Sequence, residues 1–227
     1  MSALLEIDRL TGGYRDTNVV FDLSARIAAG QILGVLGRNG VGKTTLARLV
    51  QGSLIPAAGE IRFQGRTVTT LRPHQRRGLG IGYMPQTGMV FDDLTVRENL
   101  TLGPTREAPD RFLDRFPRLG ERLEQPAGTM SGGERKILAF VRAMIEDTVL
   151  IVLDEPSEGV QPENIGLMAD SLKERSAAGA AILLCEQNLG FLTGVADSYL
   201  GLDAGRVVLN GQAGGVSPAE LRAVISL

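Results

Sequence analysis

Apolar residues follow a β-strand pattern through the first quarter of the chain. Short β-rich stretches separated by glycine turns are predicted at Leu4–Leu10, Val19–Ile27, Gln31–Leu36 and Glu60–Phe63. A helical pattern runs from Lys43 to about Gln51, and a short strand is predicted at Gly80–Met84. The β-rich start indicates that an antiparallel β part precedes the rest of the fold.

The pattern changes to helical spacing from Thr95 to about Ile145. Charged residues there separate apolar ones, which are Val96, Leu100, Leu102, Phe112, Leu113, Phe116 and Leu119. Two continuous apolar strands, Val149–Leu153 and Ala181–Cys185, follow, each preceded by a helical stretch. Such strands alternating with helices are typical of a parallel sheet covered on both faces. We therefore predict an α/β fold, with a mostly parallel sheet flanked by helices and a helical insertion.

The chain is predicted to be one domain over residues 1–227. Its core comprises 1–87 and 131–227, and the helical subdomain spans 88–130. Two interpretations of Met89, Val90, Phe91 and Leu94 remain open: they border a groove for a partner, or they belong to the core of the insertion. The C-terminal stretch Pro218–Leu227 is expected to form a helix that packs on the core. His74 is expected in a surface turn.

Composition and charge exclude several classes of protein. With 43% hydrophobic residues, 22% charged residues and a net charge of -2, the chain shows no general attraction to nucleic acid. The single cysteine, Cys185, excludes an internal disulfide and is expected to be a buried thiol. No apolar run approaches the ~20 residues that span a bilayer, so we expect a soluble, cytoplasmic protein.

A phosphate-binding loop is predicted between the strand Gln31–Leu36 and the helix at Lys43. Residues 37–44 read GRNGVGKT, which matches G-x-x-x-x-G-K-[ST] in the strand-to-helix context that this loop requires. Glycines let backbone N–H groups turn toward phosphate oxygens, and the helix dipole favours the negative charge. The predicted nucleotide contacts are Asn39, Gly40, Gly42, Lys43, Thr44 and Thr45.

A metal and water site is predicted where residues 150–155, LIVLDE, leave the sheet. Ligands of open parallel sheets bind at the carboxyl ends of the strands. Asp154 is expected to bind Mg²⁺ together with Thr44, and Glu155 to orient or deprotonate the attacking water.

A second anion site is predicted at Ser131-Gly132-Gly133, which opens an amphipathic helix. Because the chain already has a complete phosphate loop, this site indicates a second nucleotide or a partner's nucleotide.

Together with Gln86, these motifs fall in an order that resembles ATP-binding cassette (ABC) ATPases over essentially the whole chain. The resemblance implies a P-loop NTPase core, ATP and Mg²⁺ as cofactors, and two cassettes facing head to tail. Ser131 and Gly133 then act on the partner's γ-phosphate, Gln86 senses Mg²⁺ and the water, and Tyr14 stacks on adenine.

Three positions depart from the usual pattern of this family. Gln187 replaces the histidine that contacts the γ-phosphate, Gln161 replaces the aspartate before Pro162, and Glu134 replaces a glutamine. Gln187 can still donate a hydrogen bond but carries no switchable charge. Glutamine at both 161 and 187 is a pattern that resembles the ATPase subunits of importers for branched-chain amino acids and for urea or short amides. The urea-type branch is the most similar in the segments GRNGVGKTT, LRPHQR, PSEGVQP and CEQN.

The expected function is therefore ATP hydrolysis that energises an importer from the inner face of the membrane. The expected partners are permease subunits, a second ATPase subunit that is identical or a sister, and indirectly a substrate-binding protein. A soluble cassette ATPase that remodels other macromolecules is the main alternative. An unrelated P-loop kinase or GTPase is disfavoured by the Ser131 element.

Overall fold

The computed structural model describes residues 3–87 and 89–226, so Gly88, the predicted first residue of the insertion, lies outside the described residues. The strands are β1 Ala3–Tyr14, β2 Thr17–Ala28, β3 Ile32–Leu36, β4 Ala58–Phe63, β5 Arg66–Thr67, β6 Ile81–Met84, β7 Leu150–Asp154, β8 Ala181–Cys185, β9 Ser198–Asp203 and β10 Arg206–Gln212. The α-helices are α1 Lys43–Gln51, α2 Pro73–Gly78, α3 Val96–Thr101, α4 Asp110–Arg115, α5 Pro117–Gly120, α6 Gly132–Ile145, α7 Pro162–Ala177, α8 Leu189–Val195 and α9 Pro218–Ser226.

A six-stranded sheet forms the centre, in the order β10-β9-β3-β8-β7-β6. All its neighbouring strands pair in parallel except β9 with β10, which form an antiparallel hairpin. Every residue of β3, β7 and β8 is buried, as the continuous apolar runs predict. The predicted α/β class with a mostly parallel sheet is confirmed.

A second sheet, in the order β2-β1-β4-β5, is antiparallel throughout. Helix α1 lies between the two sheets, because its buried residues join the apolar cluster that contains Leu5, Leu23 and Val35. Alternate residues of β3, such as Ile32 and Leu36, face the other cluster with α6, α7 and α8. The phosphate-loop helix is thus held between two layers of strands.

Short helices α3–α5 and helix α6 form the helical part of the molecule. Phe116 meets Phe140 of α6 edge to face, with ring centroids 6.4 Å apart. Met89 and Phe91 are 42% and 54% exposed, which favours the surface interpretation over the core one for these two residues. Leu102, predicted from helical spacing, is also exposed. The division at residues 88–130 stays a prediction.

Some local expectations differ from the structure. The hairpin β9–β10 was not predicted, because β10 alternates between exposed and half-buried residues and therefore lacks an apolar run. His74 is exposed, as expected, but it belongs to the start of helix α2 and not to a loop. Cys185 is fully buried, as expected. No helix among residues 3–87 and 89–226 is long and apolar enough to cross a membrane.

Arg76 of α2 is 1% exposed and fixes the end of α1. Its guanidinium donates hydrogen bonds to the carbonyls of Leu49 and Val50, in the last turn of α1, and to those of Thr69 and Leu71. Burial lowers its pKa to about 10, so the group stays charged at neutral pH. This one cation satisfies carbonyl groups that a helix end leaves without partners.

We expect Arg76→Met to lower the free energy of unfolding by about 3 kcal/mol, because four carbonyls lose a charged donor. For a chain of this length that corresponds to a fall of about 6–12 °C in the thermal midpoint. Differential scanning calorimetry measures it, with the exposed Arg72→Met as the matched control. Equal midpoints for the two variants would contradict the assigned role.

Candidate nucleotide-binding and hydrolysis site

The carboxyl ends of three buried strands meet at one edge of the central sheet. Val35 of β3 and Asp154 of β7 each pair with Cys185 of β8. The residues that follow these strands therefore emerge side by side. This register brings together the predicted phosphate loop and the predicted metal and water site.

The loop of residues 37–44 has the backbone shape that a phosphate cradle requires. Gly37, Gly40 and Gly42 all have positive φ, at 150°, 85° and 113°. A Cβ on Gly37 would lie 2.4 Å from the carbonyl oxygen of Leu202, whereas one on Gly40 would meet no described atom within 4 Å. Gly37 is thus required by packing, and Gly40 borders open space where a ligand fits. Asn39 is exposed beside it, and Thr45 is buried in α1.

Lys43 begins helix α1 and turns back into the loop. Its ammonium lies 2.8 Å from the carbonyl oxygen of Gly37, 3.0 Å from that of Arg38 and 3.1 Å from Glu155 Oε1. The side chains of Lys43 and Glu155 are only 3% and 8% exposed, so they form a buried ion pair. A predicted phosphate ligand and the predicted base therefore hold each other in this structure.

Gln86 completes this group. Its amide nitrogen donates to Glu155 Oε2 at 3.0 Å and to Glu158 Oε2 at 3.1 Å. Glu155 has φ 49°, the left-handed region that is unusual for a non-glycine residue, and its N–H donates to the carbonyl of Cys185. Such strained residues concentrate at functional sites. This backbone turn places the carboxylate of Glu155 at Lys43.

Asp154 fits the predicted Mg²⁺ site. Its Oδ1 accepts a hydrogen bond of 3.2 Å from the Thr44 hydroxyl, while its buried Oδ2 has no hydrogen-bond partner in the described chain. Burial, with a smaller contribution from Glu155, raises the pKa of the Asp154 carboxyl. A buried carboxylate with an unpaired oxygen beside a hydroxyl is a donor set that suits Mg²⁺. Phosphate and water oxygens would be its remaining ligands.

Tyr14, predicted to stack on adenine, lies at the end of β1 and is 39% exposed. Its hydroxyl accepts a hydrogen bond of 3.2 Å from Arg48 of α1, and the guanidinium lies 5.8 Å from the ring centroid. The tyrosine is therefore held beside the helix that Lys43 begins. Its role in adenine binding stays a prediction.

The Ser131 element forms a capped helix start. Ser131 is the N-cap of α6, and its hydroxyl donates to Glu134 Oε2 at 2.9 Å while accepting from the Glu134 N–H. Arg122 donates to the same carboxylate oxygen at 3.1 Å. The backbone N–H of Ser131, its hydroxyl and then Arg122 hold the pKa of Glu134 below its usual value. Glu134 is thus an ionised carboxylate directly behind Ser131.

The two glycines of this element differ in their surroundings. A Cβ on Gly133 would lie 2.8 Å from the carbonyl oxygen of Gly159, so packing requires this glycine, whereas Gly132 borders open space. A cavity of about 420 Å³ adjoins the element, and its lining includes Arg118, Arg122, Ser131, Glu134 and Gln161. In the described chain no hydrogen bond joins Ser131 to the Lys43 loop. The two predicted anion sites are therefore two separate surfaces of the described chain.

Gln187 is exposed beyond β8, and its side chain makes no hydrogen bond within the described residues. The neighbouring Glu186, which was not predicted as a site residue, is 3% exposed and accepts hydrogen bonds from the Ser157 hydroxyl and the N–H groups of Gln187 and Asn188. An acid directly after a buried strand was the available signal for it. Lys136, also missed, is a buried lysine in α6.

Comparison with known proteins identifies the family. Residues 20–158 match the sequence family described as "ABC transporter". This chain belongs to the ABC transporter ATPase family. As an ABC ATPase it binds and hydrolyses ATP, and it is the ATPase subunit of a transporter. Such subunits work with membrane permease subunits.

The relatives of this ABC ATPase include importer and exporter subunits. A probable branched-chain amino acid transport ATP-binding protein LivF from Archaeoglobus fulgidus is 38% identical, covering 92% of this chain and 92% of that protein. The high-affinity branched-chain amino acid transport ATP-binding protein BraG from Pseudomonas aeruginosa is 35% identical, covering 91% and 92%. The lipopolysaccharide export system ATP-binding protein LptB from Acidithiobacillus ferridurans is 32% identical, covering 97% and 93%.

A solved structure of the ATP-binding subunit of an ABC transporter has the same fold. Its TM-score is 0.86 at 29% identity, and the match covers 99% of this chain and 100% of that one. The predicted P-loop NTPase core of the ABC ATPases is thereby confirmed.

We expect Lys43→Ala to weaken ATP binding about 10–100-fold, because a buried charged hydrogen bond to phosphate contributes about 1.5–3 kcal/mol. Equilibrium binding of a fluorescent ATP analogue measures the change. The exposed Lys173→Ala is the matched control, since it removes the same charge from the surface of α7. Unchanged affinity in the Lys43 variant would contradict its assignment to the cradle.

Proposed function

We propose that this ABC ATPase energises solute import by closing head to tail with a second ATPase subunit around two ATP molecules. The observation that carries the proposal is the pair of separate anion surfaces in one chain. One contains Lys43 within the phosphate loop, whereas the other, at Ser131, has two glycines at the start of helix α6. Each surface is then half of a site that the partner completes.

Within one site, we assign Lys43 and the loop N–H groups to the β- and γ-phosphates. Thr44 and Asp154 would hold Mg²⁺, which when bound would neutralise charge on the phosphate oxygens. Glu155 orients or deprotonates the attacking water. A γ-phosphate that pairs with Lys43 releases Glu155 from its buried ion pair, so binding and activation of the base occur in one exchange.

Two glutamines sense the reacting phosphate in this mechanism. Gln86 already donates to Glu155, so its amide is placed to follow the position of the base and the water. Its oxygen would also be a ligand for Mg²⁺. Gln187 donates a hydrogen bond to the γ-phosphate after closure, in place of a charged group.

Across the dimer, Ser131 and Gly133 contact the γ-phosphate held by the partner's loop. The Ser131 hydroxyl turns from Glu134 to the phosphate, and Arg122 compensates the charge of Glu134 near that phosphate. Closure also excludes water, which strengthens these contacts.

The exposed surface around Phe91 supports contact with a permease. Met89 and Phe91 are apolar and exposed, and Arg142 lies over the Phe91 ring at 5.4 Å from its centroid. An exposed apolar patch of this kind is typical of an interaction site. We place it against the permease at the inner face of the membrane, with a substrate-binding protein acting indirectly from the other side.

Branched-chain amino acids are the proposed cargo, since the LivF and BraG relatives carry this transport in their names. Urea or short amides are the second candidate, favoured by segments such as PSEGVQP and CEQN. Stimulation of the reconstituted transporter's ATPase by a substrate-binding protein loaded with leucine or with urea separates the two. Stimulation by neither would contradict both cargoes.

We expect Glu155→Gln to reduce ATP turnover about 10²–10⁴-fold, the usual contribution of a general base, while the phosphate contacts remain. The variant therefore accumulates as a dimer when Mg-ATP is added, which sedimentation velocity measures. Adding Ser131→Arg abolishes the dimer, because a large side chain then occupies the surface that meets the partner's phosphate.

Rapid turnover by Glu155→Gln would remove Glu155 from the mechanism. A dimer that persists with Ser131→Arg would contradict the head-to-tail arrangement. Arg9→Gln, on the exposed surface of β1, is the control for a change of side chain that leaves both surfaces intact.

A further inference from the structure

Lys136 is a buried cation that the mechanism above does not use. It lies in helix α6 and is 9% exposed, among neighbours such as Ile137, Leu138 and Phe140 that belong to the apolar core. A lysine is rarely buried unless its charge is paired. Its partners therefore indicate what it does.

Those partners belong to the hydrolysis site. The Lys136 ammonium donates to the main-chain carbonyl of Gln86 at 2.5 Å and lies 3.9 Å from Glu158 Oε2. The Gln86 amide in turn donates to Glu155 and Glu158. Gln86 is thus held at both ends, by Lys136 at its backbone and by two carboxylates at its side chain.

The charge of Lys136 also balances this part of the molecule. Burial lowers the pKa of its ammonium, whereas the carboxylates of Glu158 and Glu155, followed by those of Glu186 and Asp154, act in the opposite direction. Besides Lys136, Lys43 is the other buried lysine among the described residues. The carboxylate within 4 Å of Lys136 is that of Glu158, whereas Glu155 is paired with Lys43.

Helix α6 connects this group to the second anion surface. Ser131 caps the helix, and Lys136 lies five residues further on, about 7.5 Å along the axis at 1.5 Å per residue. A cavity of about 480 Å³ lies between the Gln86 segment and the start of α6. Its lining includes Gln86, Val90, Gly133, Lys136 and Glu158. Beside this cavity, the hydrogen bond from Lys136 to the Gln86 carbonyl joins α6 directly to the Gln86 segment.

We propose that Lys136 is a positioning residue that ties the Gln86 segment to α6. It thereby couples the chain's own hydrolysis site to the Ser131 surface that serves the partner's nucleotide. The inference rests on the proposed head-to-tail function. A shift of Gln86 when nucleotide binds then moves α6 as a rigid element, since one ammonium joins the two.

The test compares Lys136→Met, which keeps the length of the side chain and removes its charge, with Arg135→Met, the matched control one residue earlier. Lys136→Arg is the conservative rescue. Hydrogen–deuterium exchange of the nucleotide-free proteins is followed in the peptide that contains Gln86. We expect faster exchange in Lys136→Met, a rate close to that of the unsubstituted chain in Arg135→Met, and partial recovery in Lys136→Arg.

The second measurement uses the same substitutions in the Glu155→Gln background. We expect Lys136→Met to weaken Mg-ATP-dependent dimerisation about tenfold, which corresponds to 1.4 kcal/mol. Binding of a fluorescent ADP analogue to the monomer should change less than about threefold on the same scale, since Lys136 does not contact the cradle. A merely structural defect would lower both affinities together.

Two results would overturn the inference. One is an unchanged exchange rate of the Gln86 peptide in Lys136→Met. The other is faster exchange of this peptide with unchanged Mg-ATP-dependent dimerisation. If Glu155→Gln alone does not dimerise, the proposed function fails, and the nucleotide-free exchange data then decide the Lys136–Gln86 contact separately. If Lys136→Met does not fold, Lys136→Leu replaces it, because it likewise removes the donor to the Gln86 carbonyl and keeps an apolar side chain at this buried position.

Discussion

The parallel register of β3, β8 and β7 is the constraint on which the rest of the structure depends. These strands are buried on both faces, so their side chains are fixed by two apolar clusters at once. A slip of one residue would exchange those clusters and move every following loop. The pairing of Cys185 with both Val35 and Asp154 therefore determines that the phosphate loop, Glu155 and Glu186 lie together.

Charge is the second constraint at this edge. Lys43 and Glu155 are buried, and the charge of each compensates that of the other. In the mechanism we propose, a triphosphate brings negative charge to Lys43, and the freed Glu155 turns to the water. The left-handed backbone at Glu155, with φ 49°, places its carboxylate at Lys43. After such an exchange the Gln86 amide still donates a hydrogen bond to the buried Glu155 carboxylate.

Local features made much of the fold predictable. The helix Lys43–Gln51 begins at a left-handed glycine and ends at another, Gly52, and its predicted bounds agree with the structure. The strand Ala181–Cys185 is a continuous apolar run and was also located correctly. The site motifs could be recognised because glycine, lysine and acid spacing reflects backbone geometry within a few residues.

Features that depend on distant partners could not be predicted in this way. Arg76 belongs to a charged run that looks exposed, yet its four carbonyl partners come from residues 49–71. Lys136 meets the carbonyl of a residue 50 positions earlier. Strand β10 pairs only at an edge, so it carries no buried run. In each case tertiary contacts, and not periodicity, decide the environment.

The absence of charge at Gln187 changes how the remaining cations are used. A neutral amide contributes a weaker hydrogen bond to an anion than a charged donor does, roughly half as strong. In the mechanism we propose, the electrostatic compensation near the reacting phosphate then comes from Lys43, from Mg²⁺ when it is bound, and from groups set further back. Lys136 is the described cation whose charge is buried beside the same carboxylates and whose helix continues to the other anion surface. In the mechanism we propose, coupling between the two surfaces therefore depends on how firmly that helix is held to Gln86, more than on the neutral side chain at 187.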